Sequence, residues 1–398
     1  MTQAPVRERL DVIRGARYWM AEHASEICST ISRPPAETMA AELMPLLEAC
    51  RYLERNAERI LAPRRLDRKQ QASWLRGVDV EIRREPLGRV LIIGPSNYPL
   101  LLPGVQIMQA IAAGNEVVLK PGRGGAKPAE MLRGALEAGG IGKGVVCFLS
   151  ESVENVQRVI EEGVDKVLLT GSSATGKVVY RHLAEHGVPC IMELSGEDPV
   201  FVREDADPEL VVKALRFGLT LNSGNTCIAP KRVFLSKALE PKLASRLQTE
   251  FPKLPVSVVA NDEEALELAA ESDYALGATV FGQPHNAEKL ARRIRAGVVV
   301  VNDMVMPTAD PRLPFGGTGK SGFGVTRGEE GLLELTAVKA IAIQRSRWQP
   351  HFDPTHPADE QLMEGFLAGS YGGSLRVRMA GWKKAIRAVL ARRKKTKQ

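Results

Sequence analysis

Cysteine is scarce in this sequence, and its placement excludes two kinds of small-protein scaffold. Five cysteines are spread over 398 residues, an odd number without any CxxC pair. Neither a disulfide framework nor a zinc site can be read from that spacing, so we expect a reducing, cytoplasmic compartment. The first residues also lack the apolar run of a signal peptide, and we find no internal repeat.

Acidic residues are missing from one end of the chain. The formal net charge is +7, but the residues from Gly365 onward hold ten Lys or Arg and no Asp or Glu, so the preceding residues carry −3. A nucleic-acid enzyme needs its basic surface beside its catalytic residues. Here the two are separate in sequence, so we expect no nucleic-acid partner.

Charge of either sign is absent from Val90 to Asn115, a stretch of 26 residues that is long enough to span a bilayer. Three prolines and the side-chain amides of Asn97, Gln106 and Gln109 lie within it. These groups would leave polar atoms without partners in lipid. We therefore interpret the stretch as a strand, a loop and a buried helix.

Short apolar runs alternate with helical patterns along most of the chain. RVLII, EVVLK, VVCFL, KVLLT and CIMEL lie between residues 89 and 194, with helices predicted between them. Near-continuous apolar strands separated by helices are typical of a parallel sheet covered on both faces. We predict an α/β fold with a Rossmann-like parallel-sheet domain at residues 1–193. A second α/β series, from PVFV to GVVVVN, predicts another α/β domain at 194–336.

Five ordered motifs carry a family resemblance. They are IIGPSNYP (92–99), AAGNEVVLKP (112–121), MELSG (192–196), LNSGNTC (221–227) and LPFGGTGKSGFG (313–324). Together they resemble the aldehyde dehydrogenase superfamily, and most closely its class 3-like branch. The resemblance implies oxidation of a small aldehyde to a carboxylate with NAD or NADP. It makes residues 1–193 the cofactor-binding domain and residues 194–336 the catalytic domain.

Three residues of these motifs have the chemistry that aldehyde oxidation needs. A thiolate at Cys227 would add to the carbonyl, and the small polar residues around it favour this reading over that of a buried apolar cysteine. The side-chain amide of Asn97, with the Cys227 backbone N–H, would stabilise the oxyanion, although Asn beside Pro95 is also a common turn residue. Glu193 ends an apolar strand, where a general base explains a carboxylate that burial makes costly.

The resemblance also implies the cofactor contacts. Lys120, at the end of its strand, matches the lysine that binds the cofactor ribose. Arg123 replaces a glutamate that is common in the family; it either pairs with the 2′-phosphate of NADP or is a solvated side chain, and the sequence favours neither reading. Further cofactor contacts are expected from Pro95, Ser96, Gly171, Ser172, Gly176 and Leu194.

One departure from the family is large. Its members place a far longer segment between the nucleophile and an E-x-F-G-P motif that holds the nicotinamide ribose and ring. Here Glu250 follows Cys227 by only 23 positions, within TEFPKLPV. Glu250 and Phe251 are the expected equivalents of that motif, after a large deletion in the catalytic domain.

Two motifs of other enzyme classes are also present. GSSATGK (171–177) nearly spells a Walker A loop, but Val178 stands where Ser or Thr would bind magnesium. His182, Glu185 and His186 spell the H-x-x-E-H of one zinc-protease group, but no third ligand is apparent. We therefore expect neither a nucleotide kinase nor a metal site.

Two alternatives to the dehydrogenase remain open from the sequence. A coenzyme-A-acylating enzyme would release the acyl group to a thiol and would not need Glu193. A noncatalytic binding or scaffold protein, left by the deletion, is the alternative from a different class.

The remaining segments concern assembly. Strands within residues 73–84 and 337–345 are expected to pair across a homodimer, as in the family, although edge strands have many fates. The basic C-terminal tail, residues 346–398, has apolar residues at spacings of three or four between Leu375 and Leu390. That pattern is typical of an interfacial amphipathic helix in peripheral membrane contact. A solvated tail is the alternative.

Overall fold

The computed structural model describes residues 4–75, 77–347 and 349–395 and shows helices alternating with strands. The helices are α1 Val6–Glu22, α2 Ala24–Ser29, α3 Pro35–Thr38, α4 Met44–Leu61, α5 Leu101–Ala113, α6 Ala126–Ala138, α7 Glu154–Glu162, α8 Ser173–His186, α9 Pro208–Thr220, α10 Glu240–Glu250, α11 Asp262–Ala270, α12 Pro284–Ala291, α13 Gly328–Leu333, α14 Asp359–Tyr371 and α15 Leu375–Lys395. The strands are β1 Arg64–Arg65, β2 Val78–Pro86, β3 Arg89–Ile93, β4 Glu116–Lys120, β5 Val146–Phe148, β6 Lys166–Thr170, β7 Cys190–Glu193, β8 Pro199–Val202, β9 Arg232–Ser236, β10 Val256–Val259, β11 Tyr274–Ala275, β12 Gly277–Phe281, β13 Val298–Val301, β14 Thr318–Gly319, β15 Gly322–Phe323 and β16 Thr336–Gln344.

The first large sheet has the strand order β15-β7-β6-β3-β4-β5. The pairs from β7 to β5 are parallel, and β15 is antiparallel to β7. After β3, the chain adds β4 and β5 on one side and then β6 and β7 on the other. Ligands bind at the carboxyl ends of the strands where an open α/β sheet reverses its order in this way. The Rossmann-like parallel sheet predicted from the apolar runs is confirmed.

The second large sheet has the order β10-β9-β8-β12-β13, and all of its pairs are parallel. Helices α9 and α10 contribute buried leucines to the core under this sheet. Strands β11 and β14 form a separate antiparallel pair. The second α/β series therefore forms a sheet of its own, as the sequence predicted.

The uncharged stretch forms strand β3, a loop and helix α5, whose residues are all buried. Its amides have partners: Gln106 Nε2 donates to Thr170 Oγ1 at 3.1 Å, and Gln109 Nε2 donates to the Gly328 carbonyl at 3.3 Å. The interpretation as strand, loop and buried helix is confirmed. Within the described ranges, no helix is long and apolar enough to cross a membrane.

Contacts group the chain into two compact units. Residues 1–64 and 81–341 form one unit, which contains both large sheets, and residues 65–80 and 342–398 form the other. The first large sheet takes its strands from residues up to 193, and the second takes its strands from residues after 193. The exception is β15, which comes from the expected catalytic domain and joins the cofactor sheet. We propose that residue 193 marks the boundary between two domains, one for each large sheet, within the same compact unit.

Strands and helices also form where the assembly segments were expected. The expected strands are β2 and β16, which are neighbours in a three-stranded sheet of order β1-β2-β16. The tail forms two helices, α14 and α15, where the sequence pattern indicated one. The last residues of the basic run, 396–398, lie outside the described ranges.

We predict that Gly322 is required for the β15–β7 pairing. Its φ is +104°, and a Cβ there would lie 1.8 Å from the Met192 carbonyl oxygen. Gly163 has the same φ of +104° but open space around it, so it is a matched control. Gly163→Ala should cost about 1–2 kcal/mol of unfolding free energy from strain alone. Gly322→Ala should cost about 2 kcal/mol more. Urea unfolding checks both, and equal losses would contradict the prediction.

Candidate functional site

The expected site residues follow the carboxyl ends of four parallel strands. Because these ends meet at one edge of the sheet, the loops lie together. The Gly94 N–H donates to the Lys120 carbonyl at 2.9 Å, and the Gly171 N–H donates to the Glu193 carbonyl at 3.0 Å. The structure therefore brings together the segments after β3, β4, β6 and β7, which contain Pro95, Ser96, Asn97, Lys120, Arg123, Gly171, Ser172, Gly176 and Leu194.

Glycine is needed where the loops after β3 and β4 approach each other. A Cβ at Gly122 would lie 2.2 Å from both the carbonyl carbon and oxygen of Pro95. A Cβ at Gly176 would lie 2.7 Å from Leu194 Cδ2, at the start of helix α8. Glycine at these two positions therefore lets the loops after β3 and β4, and helix α8 and Leu194, pack closely together.

Lys120 lies half-buried after β4, and burial lowers the pKa of its ammonium group while the carboxylate of Glu151 raises it. Glu151 accepts the N–H groups of Gly124 at 3.1 Å and Ala126 at 3.0 Å, at the start of helix α6. Sequence reasoning missed Glu151, although an acidic residue just after β5 at the same sheet edge was a usable signal. Arg123 is exposed and forms no hydrogen bond or ion pair with another described residue.

Helix α8 begins at the same edge of the sheet. Ser172 is its N-cap residue, and its Oγ accepts the Thr175 N–H at 3.1 Å. The free N–H groups and the dipole of a helix N-terminus attract negatively charged groups such as phosphates. Gly171 and Ser172 therefore lie where a pyrophosphate would be stabilised.

A tight turn precedes Cys227. Asn222 and Ser223 both have φ of +52°, and Gly224 has φ of +75°. Left-handed conformations at two non-glycine residues are strained and often occur at functional sites. Asn97 holds this turn: its carbonyl oxygen accepts the Asn222 Nδ2 at 2.9 Å, and its own Nδ2 donates to the Asn225 carbonyl at 2.8 Å. The predicted oxyanion residue therefore lies against the loop that carries the predicted nucleophile.

Burial has the largest influence on the pKa of Cys227, and two buried carboxyl groups add to it. Burial, with the negative charges of Glu193 and Asp198, raises the pKa of the Cys227 thiol to about 12, against the opposing charge of Arg327. Burial also raises the pKa of Glu193 and, more strongly, that of Asp198. In the resting structure the thiol is therefore protonated at neutral pH. The expectation of a thiolate holds only once a base removes that proton.

Glu193 is positioned by the segment that follows β15. Its Oε2 accepts the Thr326 hydroxyl at 3.1 Å, and the Arg327 charge partly offsets the effect of burial on its pKa. Its Oε1 is buried and accepts no hydrogen bond from the described residues. One carboxylate oxygen is thus fixed and the other is available to bind a proton. Asp198, Thr326 and Arg327 were not predicted from the sequence. An Asp directly before the apolar strand β8 was a usable signal for Asp198, and the other two residues had none.

Residues of the N-terminal helices also reach the site. Arg33 donates to the Asn97 carbonyl at 2.8 Å and forms an ion pair of 3.2 Å with Glu42. Glu42 is fully buried and accepts the N–H groups of Leu100 and Leu101. It lies in a π-helical turn at Met39–Leu43, a feature that is frequent at functional sites. These contacts therefore support the backbone at Asn97 and just after it.

The expected role of Glu250 and Phe251 needs correction. Glu250 ends α10, and its carboxylate forms ion pairs with Arg216 at 2.5 Å and Arg246 at 2.9 Å. Phe251 packs against the core under the second sheet. Their contacts are with α9, α10 and that core, so the structure gives both residues a structural role. The deletion removed the motif, and a local match in sequence was mistaken for it.

The H-x-x-E-H residues lie on α8. His182 Nδ1 is 3.7 Å from a Glu185 carboxylate oxygen, and the rings of His182 and His186 meet edge to face. Among the described residues, no group of three or more His, Cys, Asp and Glu side chains could hold a metal ion.

Comparison with known proteins decides the family. The profile described as the aldehyde dehydrogenase family matches residues 1–258 and 251–341, which is most of the chain. This chain belongs to the aldehyde dehydrogenase family. It is therefore an oxidoreductase of the class that acts on aldehydes with a pyridine nucleotide, as its motifs led us to expect. The two matched segments overlap at residues 251–258, just after the interval between Cys227 and Glu250 in which the sequence indicated the deletion.

Relatives of known name cover most of the chain. The 4,4′-diapolycopene aldehyde oxidase of Methylomonas sp. is 26% identical over 93% of this chain and 84% of its own length. The dimeric NADP-preferring aldehyde dehydrogenase of Rattus norvegicus is 26% identical over 63% and 71%, respectively. Aldehyde dehydrogenase family 3 member H1 of Arabidopsis thaliana, at 25% over 80% and 81%, confirms the class 3-like branch. The structure of a Burkholderia cenocepacia aldehyde dehydrogenase superimposes with a TM-score of 0.79, at 25% identity over 86% and 88%.

We predict that alkylation of Cys227 by iodoacetamide accelerates with pH beyond pH 9, because its raised pKa keeps the thiol protonated at lower pH. Asp198→Asn removes a negative charge and should accelerate the reaction at a given pH, whereas Arg327→Gln should slow it. Asp11→Asn, on exposed helix α1, is the matched control. The background carries Cys147→Ser and Cys190→Ser, since those two thiols are not fully buried. A rate that levels off near pH 8 would contradict the prediction.

Proposed function

We propose that this chain oxidises an aldehyde to a carboxylate through a thiohemiacetal and then a thioester of Cys227. The observation that carries the proposal is geometric: buried Glu193 Oε1 is without a partner among the described residues, and Asn97 Nδ2 donates to the carbonyl of Asn225, two residues before Cys227. A buried carboxylate with one fixed and one free oxygen is suited to proton transfer. Asn97, on a different loop, contacts the loop of the same cysteine.

In the first half-reaction, the Cys227 thiol loses its proton and its sulfur adds to the aldehyde carbon. Glu193 is the base for this proton, because its pKa is also raised and is closer to that of the thiol than an ordinary carboxylate pKa would be. Asn97 Nδ2 then exchanges its bond to the Asn225 carbonyl for a bond to the oxyanion.

The residues present fit a pyridine nucleotide. Lys120 is half-buried with a lowered pKa, which suits the binding of ribose hydroxyls, and the start of α8 suits the pyrophosphate. When bound, the nicotinamide would accept the hydride that the thiohemiacetal releases. Pro95, Ser96 and Leu194 lie on the edge of the sheet where the same ligand would be held.

In the second half-reaction, Glu193, having released the thiol proton to solvent, removes a proton from water. The resulting hydroxide adds to the thioester carbon, the C–S bond breaks, and the Cys227 thiolate leaves as the carboxylate product is released. The Thr326 hydroxyl bond keeps the Glu193 carboxylate in place for this step. A coenzyme-A-acylating enzyme would need no such base, so the retained and supported Glu193 favours hydrolysis. A noncatalytic scaffold would not need Asn97, Glu193 and Cys227 to converge.

We propose that the substrate is a long apolar aldehyde. The relative from Methylomonas sp. acts, by its name, on 4,4′-diapolycopene aldehyde, and the match covers 93% of this chain. An exposed aromatic pair also lies beside β15, the outermost strand of the first large sheet: Phe323 contacts Tyr180 of α8 at 5.4 Å between ring centroids. Tyr98, in contrast, is buried with its hydroxyl 2.7 Å from Thr226 Oγ1, and so has a packing role.

We propose a homodimer and a cytoplasmic location. Strand β16 is at the edge of its sheet and mostly exposed, so its outer side can pair with a second copy. The relative from Rattus norvegicus is dimeric by its name. All five cysteines are free, which fits a reducing compartment.

The proposed mechanism predicts different failures for two variants. Cys227→Ala should abolish steady-state oxidation, a loss of at least about a thousandfold, while cofactor binding persists. Glu193→Gln should slow the burst of reduced cofactor, because it removes the base for the Cys227 thiol, and turnover should then stall at the thioester. Absorbance at 340 nm with apolar and water-soluble aldehydes measures both. Glu185→Gln, on exposed α8, is the control, and full turnover by Cys227→Ala would refute the nucleophile.

We also predict that NADP is used at least as well as NAD, because exposed Arg123 is available to pair with a 2′-phosphate. Arg123→Glu should lower kcat/KM for NADP by about tenfold to a hundredfold, since a charge-assisted hydrogen bond contributes about 1.5–3 kcal/mol. The value for NAD should change little. Lys127→Glu, an exposed basic residue on the neighbouring first turn of α6, controls for net charge. A strong NAD preference that Arg123→Glu leaves unaltered would contradict the prediction.

A further inference from the structure

The C-terminal helices α14 and α15 meet along small residues, and most of the large apolar residues of α15 face outward. Trp382 is the exception, since its ring lies against Gly369 and meets the Phe366 ring edge to face at 5.7 Å. A Cβ at Gly365 would lie 2.4 Å from the Ala385 nitrogen, and one at Gly381 would lie 2.3 Å from the Gly369 nitrogen. The fully buried positions of this hairpin, α14 with α15, are Gly365, Gly369, Gly381, Ala385 and Ala388. Small residues that let helix backbones touch are typical of helix pairs in membranes.

The large apolar residues of α15 form one stripe. At about 100° per residue, six of them fall within an arc of about 100° that does not include the glycine and alanine seam. Leu375 is 77% exposed, Met379 is 62% exposed and Ile386 is 58% exposed. The stripe comprises Leu375, Met379, Trp382, Ile386, Val389 and Leu390. Trp382 packs in part against Phe366 of α14, and the other five side chains are exposed, where a soluble hairpin would bury them between its helices.

Basic residues lie beside the apolar stripe. Arg376, Lys383, Lys384 and Arg387 fall within the adjacent arc of about 100° on the same helix. Lys384 forms an ion pair with Glu364 of α14, whereas the other three have no ion-pair partner among the described residues. Helix α15 itself has no acidic residue. The acidic side chains of the hairpin are on α14, where Arg392 contacts Asp359 at 3.4 Å.

We propose that α15 docks on an anionic lipid bilayer, with its apolar stripe inserted among the acyl chains and its basic stripe among the headgroups. Helix α15 is too charged to cross the membrane, and so it lies in the interface. Docking of two copies through α15 would instead place their basic stripes close together without acidic partners. The small-residue seam and Trp382 hold the docking helix against α14 and leave the other five apolar side chains of the stripe for the bilayer. This proposal does not depend on aldehyde oxidation.

Vesicle co-sedimentation of the full chain tests the proposal. The wild type should sediment with vesicles of phosphatidylcholine and phosphatidylglycerol at low salt, and release as salt is raised. Met379→Glu with Ile386→Glu should abolish binding. Met44→Glu with Tyr18→Glu, at exposed positions on α4 and α1, should leave it unchanged. Arg376→Gln, Lys383→Gln and Arg387→Gln together should weaken binding roughly a hundredfold, from about fivefold per basic residue.

Three results would overturn docking: no sedimentation of the wild type, sedimentation of the Met379→Glu/Ile386→Glu variant, or equal binding to pure phosphatidylcholine. Dissociation of an oligomer by that variant, without vesicle binding by the wild type, would assign the stripe to a second copy. Circular dichroism checks that the variant keeps its helices. Oxidation of a water-soluble aldehyde, measured without vesicles, should be the same for all variants. Its absence would count against the proposed function and not against docking.

Discussion

The balance of charge around Cys227 is the constraint on which the site depends. Burial and two neighbouring carboxyl groups disfavour a thiolate, while Arg327 favours it. A cysteine in that balance is inert at rest and becomes nucleophilic only when a proton has a place to go. Glu193 offers such a place because burial raises its own pKa as well. The same carboxylate thus suppresses the free thiolate and can accept its proton, which limits wasteful oxidation or alkylation of the resting enzyme.

The positions of these groups depend on segments that are far apart in sequence. The Asn97 carbonyl accepts hydrogen bonds from Arg33 and from Asn222, so one peptide group joins the N-terminal helices to the turn before Cys227. Glu42, which lies in the π-helical turn, accepts the N–H groups of Leu100 and Leu101. Buried polar networks of this kind are costly when a member is lost and specific when complete. We infer that the N-terminal helices belong to the catalytic structure as much as to the core.

Local sequence patterns predicted the fold well, and they predicted the site where it follows strand ends. Apolar runs located β3 to β10, and the residues after those strands include Asn97, Lys120 and Glu193, because parallel strands place their carboxyl ends together. Glu151, Asp198 and Arg327 could not be assigned in this way, since their roles depend on distances between segments. Glu250 shows the opposite error: its neighbours in sequence match a motif, but its ion pairs with Arg216 and Arg246 place it on a helix surface.

The second large sheet remains continuous because β9, α10 and β10 form an ordinary strand–helix–strand unit. Helix α10 connects β9 to β10, and β10 pairs in parallel with β9 from Val256 opposite Val233 to Val259 opposite Ser236. A strand, a helix and a parallel strand form a complete unit, so the deletion leaves a sheet without a gap. We infer that the cofactor site lacks the E-x-F-G-P residues that the resemblance assigns to the nicotinamide ribose and ring. The cofactor must then be held mainly from its other end, by Lys120 and the start of α8. Cofactor affinity in this chain should accordingly depend more on the loops after β4 and β6 than it does in relatives that keep the motif.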